Sequence, residues 1–355
     1  MAVCGFRSYV RKKLIRRIRI SNLENLMFDL ILWIFLLVVS VFFLSKSADW
    51  TADSVVALTR KLNTTKIALG ILLVSLLYVL PEFLVSLFAI VQGENEIAFG
   101  NIIGSCIGNI AFMIGLSAFF STLVVHRRMI VRDGIFLMVA TISTFAFMLD
   151  GVVSQTEGIV LLALAVFYII NVYEQEKIEA PEERKAETEE VAIRFELLTT
   201  LTGKRIEVKN PYVSFALGIT MSLVTADFLV RSVVNIASLL GASELLLGIT
   251  VVALGTSFAD IATAVAASKK GHGDLAIAGC LGANIFTLLI VLGLTTLISP
   301  LQIPSKSFWL NSIIFLITAI LLFTYMITMR IGKLKGVALL LVYAIFLVLA
   351  IITQI

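Results

Sequence analysis

Two carboxylates, Glu82 in LLYVLPEFLVSLF (76–88) and Asp260 in LGTSFAD (254–260), lie inside long apolar runs with no Lys or Arg near mid-run. A charge at the centre of a bilayer costs on the order of 2.5–3.5 kcal/mol even on the forgiving insertion scales. Each carboxylate must therefore be protonated, face water or bind a cation. Pro81 removes a backbone donor and clashes with the carbonyl one turn earlier, which frees the Leu77 carbonyl beside Glu82. In the second stretch Ala259 takes the place of the proline, Gly255 loosens the turn, and Thr256 stands four residues before Asp260, on the same face of a continuous helix. Ser257 adds a hydroxyl, and Ser86 lies one turn beyond Glu82. The runs that follow carry GNIIGSCIGN (100–109), with Asn109, and GCLGANIFT (279–287), with Asn284 and Thr287. Together these are hard oxygen donors with two negative charges, a set that suits Ca²⁺ with its roughly 6–8 oxygen ligands better than a soft metal. Na⁺ also takes oxygen ligands. The rival reading, two acids hydrogen-bonded to each other as a packing feature, does not account for their matched positions, described below.

The elements that must hold these groups are membrane helices. The chain has 355 residues, 59% hydrophobic and 15% charged, which excludes a soluble globular domain. Ten apolar segments are long enough to span: 26–58, 67–91, 95–122, 128–149, 154–174, 211–238, 244–269, 274–297, 306–329 and 333–353. Continuous apolar runs containing glycine fit helices, not alternating barrel strands. The expectation is an all-α polytopic protein of ten transmembrane helices, at the plasma membrane and monomeric, with the lipid bilayer as a partner and no nucleic acid, and not an enzyme. Basic residues gather in alternate connections: Arg127, Arg128 and Arg132; seven between 175 and 210; Lys269 and Lys270; Arg330, Lys333 and Lys335. The positive-inside bias puts those connections in the cytoplasm. Residues 7–19 carry seven more basic side chains on what a ten-helix count makes the other side, so this segment is an interfacial helix or the first span is miscounted. Cys4, Cys106 and Cys280 have neither zinc nor disulfide spacing and read as small packing residues.

Residues 175–210 form a polar linker, EKIEAPEERKAETEE at its heart, dividing a basic N-terminal segment (1–25) and a first five-helix repeat (26–174) from a second (211–355). Laying each residue over the one 178 positions later pairs Leu69-Gly70-Ile71 with Leu247-Gly248-Ile249, Gly93 with Gly271, Gly104 with Gly282, and Gly115-Leu116 with Gly293-Leu294. Glu82 falls on Asp260. An odd number of spans per repeat turns the second copy over, so the halves are inverted, an arrangement that builds alternating access around a midplane site.

LPEFLVSLFA followed by GENEIAFGNIIGSCIGNI, and GTSFADIATAVAAS followed by GDLAIAGCLGANIF, resemble the two signature repeats of the calcium/cation antiporter superfamily, most closely its prokaryotic sodium/calcium exchangers. The likeness runs from about Ser47 to the C-terminus. It implies exchange of cytosolic Ca²⁺ for Na⁺, both ions being cargo, with no resident cofactor. It also implies Ca²⁺ ligands at Glu82, Asp260, Thr256 and a backbone carbonyl near Leu77 or within 252–255, and Na⁺ sites at Asn109 and Ser257. Three departures bear on coupling. Where the family carries Gly-Thr-Ser before the first Leu-Pro-Glu, this chain has Leu77, Tyr78 and Val79; the phenol of Tyr78, one turn before Glu82, takes the place of a small hydroxyl. The second motif has lost its proline and shortened Glu to Asp, and Thr287 stands where many members have an acid or amide. H⁺ or another cation in place of Na⁺ is the alternative.

A cation channel built on the same donors is the rival of another class, but channels ring an axis along the membrane normal, whereas inverted halves suit rocking about one site. GHGD (271–274) matches an intramembrane aspartyl protease signature but has no Tyr-Asp partner in another run; Asp274 reads as a helix cap. His126 and His272 read as solvated loop residues, and Asp49 and Asp227 as groups near span ends.

Overall fold

The computed structural model describes residues 26–48, 50, 51, 54, 79–178, 210–303 and 306–354. The N-terminal basic segment, most of the linker, and Leu77, Tyr78 and Asp49 lie outside them. Among the described residues, eight helices are long and apolar enough to cross a membrane: α1 (Leu26–Ala48), α3 (Asn95–Phe120), α4 (Met129–Phe147), α5 (Gln155–Ile178), α6 (Pro211–Leu240), α9 (Gly273–Ile298), α10 (Lys306–Ile327) and α11 (Lys333–Gln354). A ninth crossing is available from the bent pair α7 (Glu244–Thr256) and α8 (Phe258–Lys269), and α2 (Leu80–Gln92) is a shorter apolar helix. The outer helices turn large apolar side chains outward, such as Phe28 and Phe35 on α1, Phe167 on α5 and Ile352 on α11. That surface is stable only against lipid tails. The core lies along α3 and α9, where Phe99, Ile103, Ile107, Ile110, Phe286 and Leu288 are fully or almost fully buried.

Glycine decides where the central helices touch. A Cβ at Gly100 would lie 2.8 Å from Ile249 N, and one at Gly104 would lie 2.7 Å from Ile249 O. The backbones of α3 and α7 therefore meet directly, the close approach that small residues permit between membrane helices. Pro81 stands at the start of a described helix. It sits in the first turn of α2, where its missing N–H has no partner to lose. Gly93 closes α2 in the left-handed conformation, φ 85°, its N–H returning to the last carbonyls.

The two carboxylate stretches are built alike. Val79, ahead of α2, has φ −88° and ψ 6°; Ser257, ahead of α8, has φ −87° and ψ 2°. These positions are 178 apart. The same offset relates Gly93 (φ 85°) to Gly271 (φ 92°) and two-residue strands β1 (Leu123–Val124) to β3 (Leu301–Gln302) and β2 (Val152–Val153) to β4 (Arg330–Ile331). β1 pairs with β4 and β2 with β3, so each bridge joins the two halves of the chain. π-Helical turns interrupt α3 at Gly108–Ile114 and α9 at Thr287–Val291.

Two local expectations need correction. The 244–269 segment is not one helix: the turn at Ser257 bends it by 52°, so Thr256 and Asp260 do not share the face of a continuous helix. Asp274 caps nothing; it is in the first turn of α9, 3.8 Å from His126, which is exposed. Asp227, in α6, accepts from Arg231 Nε at 2.8 Å and from Nε2 of Gln92, the last residue of α2, at 3.0 Å. Because Gly100 and Gly104 face backbone that cannot move aside, Gly100→Ala and Gly104→Ala should each lower stability by about 1–3 kcal/mol. Thermal unfolding of the detergent-solubilised protein measures this, and an unchanged midpoint would mean that the α3–α7 approach is not as close as described.

Candidate functional site

Glu82 is the third residue of α2 and Asp260 the third residue of α8, each just after a residue with the same backbone dihedrals, Val79 and Ser257. Both carboxylates therefore stand at helix N-termini, where unsatisfied N–H groups and the helix dipole favour negative charge. Both are buried, at 1% and 7% exposure, and lie near enough to interact electrostatically.

The two helix starts are tied together. Ser257, at the turn before α8, donates from Oγ to Glu82 Oε1 at 2.8 Å. Asn101 on α3 then clamps α2: its Nδ2 donates to the Glu82 carbonyl at 3.0 Å and to Ser86 Oγ at 2.9 Å. The Oδ1 of Asn101 accepts from Thr256 Oγ1 at 3.2 Å, and Ser105, one turn further along α3, lies 3.4 Å from the same hydroxyl. A second layer follows at the π turns. Asn109 Nδ2 donates to Asn284 Oδ1 at 3.2 Å, and Asn284 Nδ2 turns to the Cys106 carbonyl at 3.4 Å. Cys280 Sγ donates to the Asn109 carbonyl at 3.3 Å. The two cysteines thus pack as small buried groups and one also carries a hydrogen bond.

Three oxygens of this cluster are buried with no hydrogen-bond partner among the described residues: Glu82 Oε2, Asn109 Oδ1 and Thr287 Oγ1. Buried polar atoms are nearly always satisfied, so such a set calls for an account. A carboxylate, an amide and a hydroxyl oxygen are the donors a hard cation takes. Among the described residues no group of three or more His, Cys, Asp or Glu side chains could hold a metal, which sets the cluster apart from a zinc or iron centre. No cationic side chain pairs with Glu82 among the described residues.

Of the residues singled out in the sequence, Glu82, Ser86, Thr256 and Ser257 come together in one network, and Asn109 and Asn284 in the layer beside it. Asp260 and Thr287 are buried, and Leu77 and Tyr78 lie outside the described residues. Asn101 and Ser105 were missed. Their signal was present: Asn101, Ser105 and Asn109 recur every four residues, a polar stripe down an otherwise apolar helix.

The description "Sodium/calcium exchanger protein" belongs to the family model that matches residues 32–173 and 210–352. Inner membrane protein YrbG of Escherichia coli (strain K12) is 30% identical over 288 residues, covering 81% of this chain and 86% of the relative. Sodium/calcium exchanger MaX1 of Methanosarcina acetivorans is 25% identical over 339 residues, covering 88% and 97%. Among solved structures, the sodium-calcium exchanger NCX_Mj soaked with Na⁺ and Sr²⁺ superposes with a TM-score of 0.60 at 25% identity, over 89% of this chain and 98% of that one. Matched over residues 32–173 and 210–352 and over most of the length of these relatives, the chain belongs to the sodium/calcium exchanger protein family.

Proposed function

We propose that the protein is a secondary active antiporter that exchanges Na⁺ for Ca²⁺ at a site between Glu82 and Asp260. The observation that carries this reading is the pair of buried carboxylates at two matched helix starts, beside oxygens left without hydrogen-bond partners. Two negative charges compensate a dication, and Glu82 Oε2, without a hydrogen-bond partner among the described residues, can ligate it. Thr256 is held by Asn101 so that its oxygen stays beside the carboxylate helix. Asn109 and Thr287, at the π turns, supply neutral oxygens for a monovalent ion. Membership of the family and the names of MaX1 and NCX_Mj support Na⁺ as the exchanged ion.

Alternating access in this reading uses two inverted halves, 26–174 and 211–355, joined by the 175–210 linker. The recurrence of backbone conformations at an offset of 178, and the bridges β1–β4 and β2–β3 that exchange the halves, support it. The end bearing Lys269, Arg127, Arg330 and Lys333 is then cytoplasmic and the end bearing Glu94, Asp150 and Glu244 is opposite, with the chain in the plasma membrane. Coupling to H⁺ is the second reading. It is favoured by the neutral side chains at both Asn109 and Thr287, which leave the described site with two carboxylates to serve both ions.

Uptake of radiolabelled Ca²⁺ into proteoliposomes under imposed Na⁺, K⁺ or H⁺ gradients distinguishes these readings. An outward Na⁺ gradient should drive accumulation; accumulation driven only by a pH gradient would establish H⁺ coupling, and none under any gradient would refute antiport. Glu82→Gln and Asp260→Asn should each abolish uptake while leaving the protein folded, because removing one of two charges from a desolvated dication site loses a dominant electrostatic contribution. Near-normal flux in either variant would remove that residue from the site. Ser257→Ala leaves Glu82 Oε1 without its donor and should destabilise the ion-free protein by about 1–3 kcal/mol. Added Ca²⁺ should recover much of that loss in a thermal unfolding assay, and failure to recover any would show that Oε1 is not available to the ion.

A further inference from the structure

At the Lys269 end of the molecule two lysines are seated on two phenyl rings. Phe119 and Phe120 end α3, Lys269 ends α8 and Lys333 begins α11. The Lys269 ammonium stands 4.0 Å from the centre of the Phe120 ring, and the Lys333 ammonium 4.4 Å from the centre of the Phe119 ring. The two rings meet edge to face with 5.6 Å between their centres. Both lie on the surface, at 40% and 48% exposure, and next to Lys333 the Leu334 side chain is at 88%. Glycine lets α11 settle against the end of α3: a Cβ at Gly336 would lie 2.8 Å from the Ala118 Cβ. Three helix ends thus build one small platform, apolar at its surface and carrying two positive charges.

Those charges are not compensated within the described residues. Neither Lys269 nor Lys333 has a carboxylate partner among them, and Asp274, at the same end, lies 3.8 Å from His126. Lys335 is different: it donates to the Arg330 carbonyl at 2.9 Å and to Thr328 Oγ1, and so closes the turn between α10 and α11. The first turn of α11 holds no acid, so the helix dipole adds to the positive potential there instead of meeting a negative side chain. The opposite end of the molecule shows that helix ends alone do not produce this arrangement. At an offset of 178 the counterparts of Phe119, Phe120, Lys269 and Lys333 are Leu297, Ile298, Val91 and Gln155. They adjoin in the same way, Gln155 Nε2 donating to the Leu297 carbonyl at 2.9 Å, and Leu297, Ile298 and Val91 are likewise exposed. That surface is apolar and carries neither a cation nor a ring.

We propose that Lys269 and Lys333 bind the headgroup phosphate of an anionic phospholipid whose acyl chains cover Phe119, Phe120 and Leu334. A ring face attracts an ammonium through its quadrupole and restrains a lysine stem that otherwise snorkels freely at the membrane surface. An ammonium seated on a ring keeps N–H donors on its far side for an anionic oxygen. Two uncompensated lysines favour a lipid with net negative charge over a zwitterionic one, which brings an ammonium of its own. The exposed rings select a lipid over free phosphate, because only the lipid supplies hydrocarbon and phosphate together. The site depends on the surface of α3, α8 and α11 and not on which ions the protein exchanges.

The test titrates the purified, delipidated full-length chain with phosphatidylglycerol and, separately, with phosphatidylcholine of the same acyl chains, counting bound lipids by native mass spectrometry. Phosphatidylglycerol should bind at least about tenfold more tightly, a ratio equivalent to about 1.4 kcal/mol. Lys269→Gln combined with Lys333→Gln should remove that preference, and Lys269→Arg with Lys333→Arg, which keeps a cation over each ring, should retain it. Lys270→Gln with Arg330→Gln removes two nearby exposed cations that sit on no described ring, and should leave the preference within about twofold. Should the glutamine pair fail to fold, Phe119→Leu with Phe120→Leu, which keeps both lysines and the apolar surface, should lower the preference about threefold. Equal affinity for the two lipids, equal loss from the two glutamine pairs, a preference indifferent to the leucine pair, or displacement of the lipid by inorganic phosphate would each overturn the proposal. No ion flux enters the measurement, so its outcome is separate from that of the antiporter reading.

Discussion

Glu82 carries a carboxyl group at 1% exposure with one oxygen bonded to Ser257 and the other bonded to nothing described. A carboxylate withdrawn from water to that degree is tolerable only if the protein surrounds it with compensating dipoles and leaves room for a counter-charge. Much of the architecture answers that requirement. Helices begin just after Val79 and Ser257, so that free N–H groups and helix dipoles oppose two negative charges. Gly100 and Gly104 let α3 press against α7 closely enough for Asn101 and Ser105 to reach Thr256. The π turns at Gly108 and Thr287 lie beside the second layer of amide and hydroxyl groups, a common place for such irregular turns at functional sites.

The two halves share backbone and differ in side chains. Val79 and Ser257 have the same dihedrals, but only Ser257 has a hydroxyl to give to the opposite carboxylate. Asn101 has a clamp and Gly279, 178 positions later, has none. The backbone match at this offset therefore accompanies side chains that differ.

The parts of this architecture that were legible in the sequence are those with a strong physical signature. An acid inside an apolar run, as at Glu82 and Asp260, is costly enough to mark a site. Glycines at matched intervals mark close packing, and an offset that superposes carboxylate on carboxylate marks a repeat. The remaining features depend on spatial partners that no local pattern encodes. The bend at Ser257 has no proline to announce it, and the hydrogen bond from Gln92 to Asp227 joins residues 135 positions apart. Asn101 was hidden among glycines that were read for packing alone, although its four-residue spacing to Ser105 and Asn109 was there to be counted.

The central claim is that Glu82 and Asp260 hold a divalent cation in a site that Na⁺ can contest. Its most direct test is equilibrium titration of the purified, ion-free protein with Ca²⁺, repeated at increasing Na⁺ with the ionic strength held constant by a large organic cation. The account predicts a saturable Ca²⁺ site whose apparent affinity falls steadily as Na⁺ rises. Saturable binding that is indifferent to Na⁺, or no saturable Ca²⁺ binding at all, would contradict it.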